Sequence, residues 1–285
     1  MNQLTPEVRA SEDPSLGRDS LLVVVPRLEK EFSTRARQIS GAKRLMRGLY
    51  RVRANDPLVM KLLDQYPHVS FKRVRDVPRV RELSPEGASE HTYTIVAYRF
   101  ANSTPQQKKM AQRLTRSTPS VRLRRGALLF PHLRMKDKNR YYRPSGKVQL
   151  FTAKLFVERM DLLGAQVIRF SRLRITGEHS NEIVNAAIDA MVEHELGSVE
   201  KRIRQLLAEV ENPGVSSKRI KERYSELSRR LKVLRASFEI VQDVWHHDTE
   251  KSLKRTYNLL LRLRREVEMR LEEESNGANE RTASP

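Results

Sequence analysis

The 285-residue chain has no cysteine. This excludes disulfides, thiolate nucleophiles, iron–sulfur clusters and cysteine-bound zinc, and a cytoplasmic location is the expectation that follows. Long apolar runs are missing as well. The longest, Leu21 to Pro26 and Gly126 to Pro131, fall far below the roughly 20 residues that cross a bilayer, so no membrane span is expected. Residues 1–17 lack the basic start and apolar core of a secretory signal. There is no Gly-x-x-x-x-Gly-Lys-Ser/Thr phosphate loop and no dinucleotide-binding glycine fingerprint. Acidic charge is short: 35 Asp and Glu stand against 55 Lys and Arg, a net charge of +20. That excess opposes compaction and favours a polyanionic partner.

The charge is unevenly placed. Residues 1–85 carry a net +7, residues 86–180 a net +13, and residues 181–285 balance to zero. A basic part beside a neutral, highly charged part points to one region that meets nucleic acid and another that supports or assembles.

Punctuation along the chain divides it into units. Leu21 to Val25 reads as a buried strand ended by Pro26, Phe32 to Leu45 as a helix, and Gly48 to Arg53 as an alternating strand. Asp56-Pro57 starts a helix running to Gln65, and Ser70 to Val77 is a further strand. This predicts a small α/β domain over 1–85, with Ser84 to Glu90 as linker. A second unit, 91–180, has the strand Tyr93 to Phe100, a helix capped at Ser103-Thr104-Pro105, and the strand Val121 to Phe130. The helix Leu150 to Leu163 ends at Gly164 and leads to the strand Gln166 to Ile175. That order is the front of a ferredoxin-like sandwich whose last strand is missing and must come from elsewhere.

From Asn181 the pattern changes to long helices. Ile220, Tyr224, Leu227, Leu231, Leu234, Phe238, Val241 and Trp245 form a sustained heptad. With Val199 to Val210 before it and Leu253 to Leu271 after it, residues 181–274 read as a helical hairpin or bundle, pairing within the chain or with a second copy. Residues 275–285 read as a disordered tail. The fold class is therefore α+β.

The strongest candidate for chemistry is the insertion Arg134, Lys136, Lys138, Arg140, Tyr141, Tyr142, Arg143 and Lys147. Its cations can displace counterions from phosphates and its paired tyrosines offer faces for bases, with a mobile solvated loop as the bland alternative. Arg122, Arg124 and Arg125, with Arg169, Arg172 and Arg174, form one basic face if their strands are neighbours. Lys108, Lys109, Arg113 and Arg116 share a helix surface. Metal signals are thin. His246-His247-Asp248 are adjacent residues that point apart on a helix, and His194 lacks the second histidine of a zinc-protease helix.

Ile95-Val-Ala-Tyr-Arg99, the helix around Lys109 to Leu114, Arg125-Gly-Ala-Leu-Leu-Phe-Pro131 and Leu163-Gly-Ala-Gln-Val167, with Leu231-Lys-Val-Leu-Arg235 and Asp243, resemble the N-terminal domain of the chromate-resistance regulator family over residues 92–248. That resemblance implies a ferredoxin-like domain with a helical appendage; the insertion departs from its pattern. Val23-Val-Val-Pro-Arg27, Gly48-Leu49, Asp56-Pro57 and Arg75-Asp-Val-Pro78 are similar to the THUMP domains of tRNA-modifying enzymes, which implies an RNA-docking module. Ala97-Tyr-Arg-Phe100 lacks the acidic residue with which a ferredoxin-like nuclease of the CRISPR adaptation type holds metal.

The expectation is a non-enzymatic nucleic-acid-binding protein without a cofactor, structured RNA favoured over DNA. A DNA-binding regulator of the chromate type is the first alternative. A metal-dependent nuclease drawing on Asp243 and Asp248 is the second.

Overall fold

The computed structural model describes residues 16–17, 19–83, 91–142 and 149–282, with side chains in the last segment up to residue 274. The expected linker 84–90 lies outside these residues. No helix among them is long and apolar enough to cross a membrane.

The fold is α+β, built on one eight-stranded antiparallel sheet. The first unit runs β1 (Ser20–Val24), α1 (Glu29–Ala36), β2 (Ala42–Met46), β3 (Leu49–Arg53), α2 (Pro57–Leu63) and β4 (Val69–Arg73). Asp56 caps α2, its carboxylate accepting from the Leu58 amide at 3.0 Å. The expected helix Phe32 to Leu45 is too long: it stops at Ala36, and Ala42–Met46 turns at Gly48 to form a hairpin with β3. The second unit runs β5 (Tyr93–Arg99), α3 (Pro105–Arg116), β6 (Val121–Arg124), β7 (Ala127–Pro131), α4 (Met135–Tyr141), α5 (Ala153–Leu162) and β8 (Gln166–Thr176). Here Val121 to Phe130 is two strands, because Gly126 at φ +84° turns the chain back. With both hairpins counted, no strand is missing. Each unit is a complete βαββαβ sandwich.

The strand order, β2-β3-β1-β4-β8-β5-β7-β6, is the same four-strand pattern twice, joined by the β4–β8 pair. The register makes the units equivalent residue by residue. Leu22 faces Phe71 as Ile95 faces Phe170, and Arg44 faces Tyr50 as Arg122 faces Leu128. Both hairpins carry an irregularity at the next residue, Leu45 and Leu123. The carbonyl of Gly48 accepts from Val25, and that of Gly126 from Tyr98. The sequence repeats accordingly: Arg44-Leu-Met-Arg-Gly48 matches Arg122-Leu-Arg-Arg-Gly126, and Phe71-Lys-Arg-Val-Arg75 matches Phe170-Ser-Arg-Leu-Arg174. The two expected domains thus share one continuous sheet.

The sheet twists far enough for its opposite ends to meet. Arg124, on the last strand, donates to the Val25 carbonyl at 2.8 Å, and its guanidinium fills the space beside Gly48 in the β2–β3 turn. One face carries two helix-covered cores, Val23, Phe32, Tyr50 and Leu63 under α1 and α2, and Val96, Leu128, Phe130 and Phe156 under α3 and α5. The other face, with Leu22, Phe71, Ile95, Leu129 and Leu173, packs on the C-terminal helices.

Those helices are α6 (Glu178–Val210), α7 (Ser217–Trp245) and α8 (Glu250–Thr282), a three-helix bundle. The heptad is covered within the chain: Leu227, Leu231, Leu234, Phe238 and Val241 are buried in one cluster with Ile203, Leu206, Leu260, Leu263 and Val267. Buried Glu200 of α6 accepts from Thr256 and Arg255 of α8, each at 2.9 Å. Arg270 donates to the carbonyls of Val210, Asn212 and Val215 and so clamps the α6–α7 turn. Helix α8 continues to Thr282, where a disordered tail was expected.

Candidate nucleic-acid interface

The seam between the two units is where cations concentrate. Strands β4 and β8 pair as Lys72↔Arg174 and Arg73↔Leu173, and the Val74 amide donates to the Arg172 carbonyl at 2.8 Å. In sequence the repeat matches Arg73 to Arg172 and Arg75 to Arg174, but the pairing sets Lys72 and Arg174 on one face of the sheet and Arg73, opposite Leu173, on the other. Lys72, Arg73, Arg75 and Arg172 are exposed, and Arg174 is half-buried. Like charges directly opposite each other on a sheet are destabilising, so Lys72 facing Arg174 is not explained by stability.

Two further features mark the place. Arg172 has φ +55° in the middle of a strand, at the bulge where Ser171 and Arg172 interrupt the β5–β8 register. A left-handed non-glycine residue costs roughly 1–2 kcal/mol, and such outliers gather at functional sites. Lys138 of α4 is half-buried, with its ammonium pushed below the usual lysine range first by burial and then by Arg169 and Arg172. Helix α4 is held there by its own polar contacts. Arg134 donates to the Val77 carbonyl, and Asp137 accepts from the Val80 amide at 3.3 Å.

The expected site residues separate into groups. Arg122, Arg124 and Arg125 do not join Arg172 and Arg174 on one face, because β5 and β7 lie between β6 and β8. Arg124 is committed to the sheet closure, while Arg122 and Arg125 are exposed. Lys108, Lys109 and Arg113 are exposed on α3 and Lys136 on α4. Arg140 lies over the Tyr141 ring, 5.1 Å from its centre, and 3.5 Å from Asp243 of α7. Arg143 and Lys147 lie outside the described residues.

The tyrosines of the insertion are not a stacking platform. Residues 135–141 form a helix, Tyr141 is buried, and its hydroxyl donates to Asp243 at 2.8 Å. Tyr142 packs half-buried against the same core. Burial raises both phenol pKa values, with Asp243 adding to that of Tyr141. Their apolar rings fill the junction between the insertion and the bundle, which the sequence around them does not disclose. The residues that sequence reasoning missed are Lys72, Arg73 and Arg75. Their signal was the Phe-x-Arg-x-Arg motif shared with β8.

Other chemistry is sparse. Among the described residues no group of three His, Asp or Glu side chains is placed to hold a metal. His246 faces buried His91, His247 bonds Asp189 at 2.8 Å, and Asp248 accepts from the Glu250 amide, so the three neighbours point apart. A cavity of about 270 Å³ between α3, β6, α6 and α7 is lined by Arg116, Arg122, His194, Arg230 and Phe238 among others, with Arg230 paired to Glu195. Comparison of the chain with family models, with curated proteins and with solved structures gives no match.

Proposed function

We propose that this is a cytoplasmic, non-enzymatic protein that binds structured RNA through the basic seam between its two βαββαβ units. The observation that carries the reading is the placing of Lys72 directly opposite Arg174 on the β4–β8 pair, with Arg172 at the bulge two residues before Arg174 and Lys138 within the field of Arg172. Like charges gathered on neighbouring strands repel one another, and phosphates relieve that repulsion while releasing their counterions. The net +20 charge supplies a long-range attraction toward the same partner.

The test is binding of a folded RNA followed by fluorescence anisotropy from roughly 50 to 200 mM salt. Affinity falls steeply over that range. Binding that is absent or insensitive to salt overturns the proposal. A DNA-binding regulator is the second reading, favoured by the long helices packed directly onto the second unit, as the resemblance to chromate-resistance regulators implies. Tighter binding to duplex DNA than to RNA in the same titration would select it.

A further inference from the structure

We infer that the cavity of about 270 Å³ between α3, β6, α6 and α7 is a binding site for a small carboxylate with an apolar body. None of its lining residues belongs to the β4–β8 pair, and the inference does not depend on the RNA reading. The first support is unspent charge. Arg116, Arg122 and Arg230 line the cavity against one carboxylate, Glu195, and Arg230 already pairs with it. The side chains of Arg116 and Arg122 have no ion pair or hydrogen bond among the described residues. The planar fork of a guanidinium matches a carboxylate through two parallel N–H bonds.

The second support is that the groups able to repel an anion are already engaged. Carbonyls at the C-terminal end of α3 carry the negative end of its dipole. Each finds a donor: Leu114 accepts from the Ser117 amide at 3.0 Å, Thr115 from the Thr118 hydroxyl at 2.6 Å, and Arg116 from the Arg230 guanidinium at 2.8 Å. The Thr118 carbonyl accepts from the Ser237 hydroxyl of α7 at 3.3 Å. Arg230 and Ser237 thereby tie α7 to the end of α3, so the cavity is framed before a ligand arrives, as small-molecule sites usually are.

The third support is an apolar wall facing the same space. Met191 of α6 is half-buried there, and Leu234 and Phe238 of α7 are buried. Ligand pockets combine such a lining with a few placed polar groups and run from about 300 Å³ upward, so this one suits a small molecule. Inorganic phosphate engages the arginines but leaves the wall bare, and an uncharged hydrocarbon does the reverse. Methionine adapts its shape and its sulfur favours an aromatic ring, which makes an arylcarboxylate the best-fitting member of the class.

The experiment titrates the full-length protein with benzoate, indole-3-acetate and isovalerate by isothermal calorimetry, with benzamide and inorganic phosphate as uncharged and purely anionic comparisons. At least one of the three carboxylates binds with a Kd below about 1 mM, and about tenfold or more tighter than benzamide or phosphate. Arg116→Gln and Arg122→Gln each weaken that binding about tenfold. Arg125→Gln, at an exposed arginine outside the lining, leaves it unchanged. Ala187→Leu places a larger side chain on the α6 wall and abolishes binding. The two exposed arginine variants keep the test decisive if circular dichroism shows that Ala187→Leu folds poorly. Absence of binding by all three carboxylates, equal binding of phosphate or benzamide, or a loss in Arg125→Gln as large as in Arg122→Gln overturns the inference.

Discussion

Replacing Gly48 with alanine tests the contact that closes the sheet. The substitution has two separable costs. Alanine held at φ +70° is strained by roughly 1–2 kcal/mol. Its Cβ would also fall 1.4 Å from Nη1 of Arg124, so the guanidinium must leave and give up its bond to the Val25 carbonyl. A hydrogen bond from a charged group contributes about 1.5–3 kcal/mol, which brings the expected loss to about 2.5–5 kcal/mol. Arg124→Gln alone removes only the second part, about 1.5–3 kcal/mol. Because both substitutions break the same bond, the double variant loses less than the two single losses combined, by about the worth of that bond. Urea denaturation of the wild type, both single variants and the double variant measures this coupling. Gly126→Ala is the internal control: its Cβ would sit 2.7 Å from the Tyr98 carbonyl, a backbone atom that cannot swing away, so deleting Arg124 gives it no relief. Losses at Gly48 and Arg124 that add within roughly 0.5 kcal/mol would refute the view that the ends of the sheet touch.

His91 is buried against His246, and its pKa is pushed down to about 4, first by burial and then by that neighbour. A histidine whose folded pKa lies below its unfolded value of 6.5 favours the folded state when neutral, so its stabilisation is complete above about 6.5 and is lost as pH falls toward 4. The loss should reach about 3 kcal/mol, and His91→Phe should flatten the stability profile between these pH values in thermal or urea unfolding. Tyr141→Phe should cost about 1–2 kcal/mol through the lost bond to Asp243 while leaving RNA affinity unchanged; a selective loss of binding would restore a contact role for the tyrosine. Glu200→Ala removes the acceptor shared by Arg255 and Thr256 and should destabilise the bundle by about 3–5 kcal/mol, with Glu200→Gln milder because Thr256 keeps a partner. Equal losses in those two variants would show that the carboxylate's charge, rather than its acceptor geometry, holds α6 to α8.

What the sequence determined by itself was local. Asp56-Pro57 and Thr104-Pro105 start helices because a side-chain oxygen and a fixed φ act within one turn. The heptad from Ile220 to Trp245 announced a buried helix stripe because its period is that of the helix itself. The two hairpins were concealed differently: Gly126 turns the chain inside a stretch, Val121 to Phe130, that reads as one strand, whereas Ala42–Met46 reads as the end of the preceding helix, so the turn at Gly48 has no visible first strand. Tertiary structure decided the rest. Tyr141 is a core residue because Asp243, 102 positions away, comes to meet its hydroxyl. Arg124 and Arg172 looked alike as basic strand residues, yet one is consumed in closing the sheet and the other remains exposed at its centre. The basic seam exists because two edge strands from separate repeats pair with each other. An unpaired edge carries no local mark of its future partner, since its free amides and carbonyls are the same whichever strand they meet.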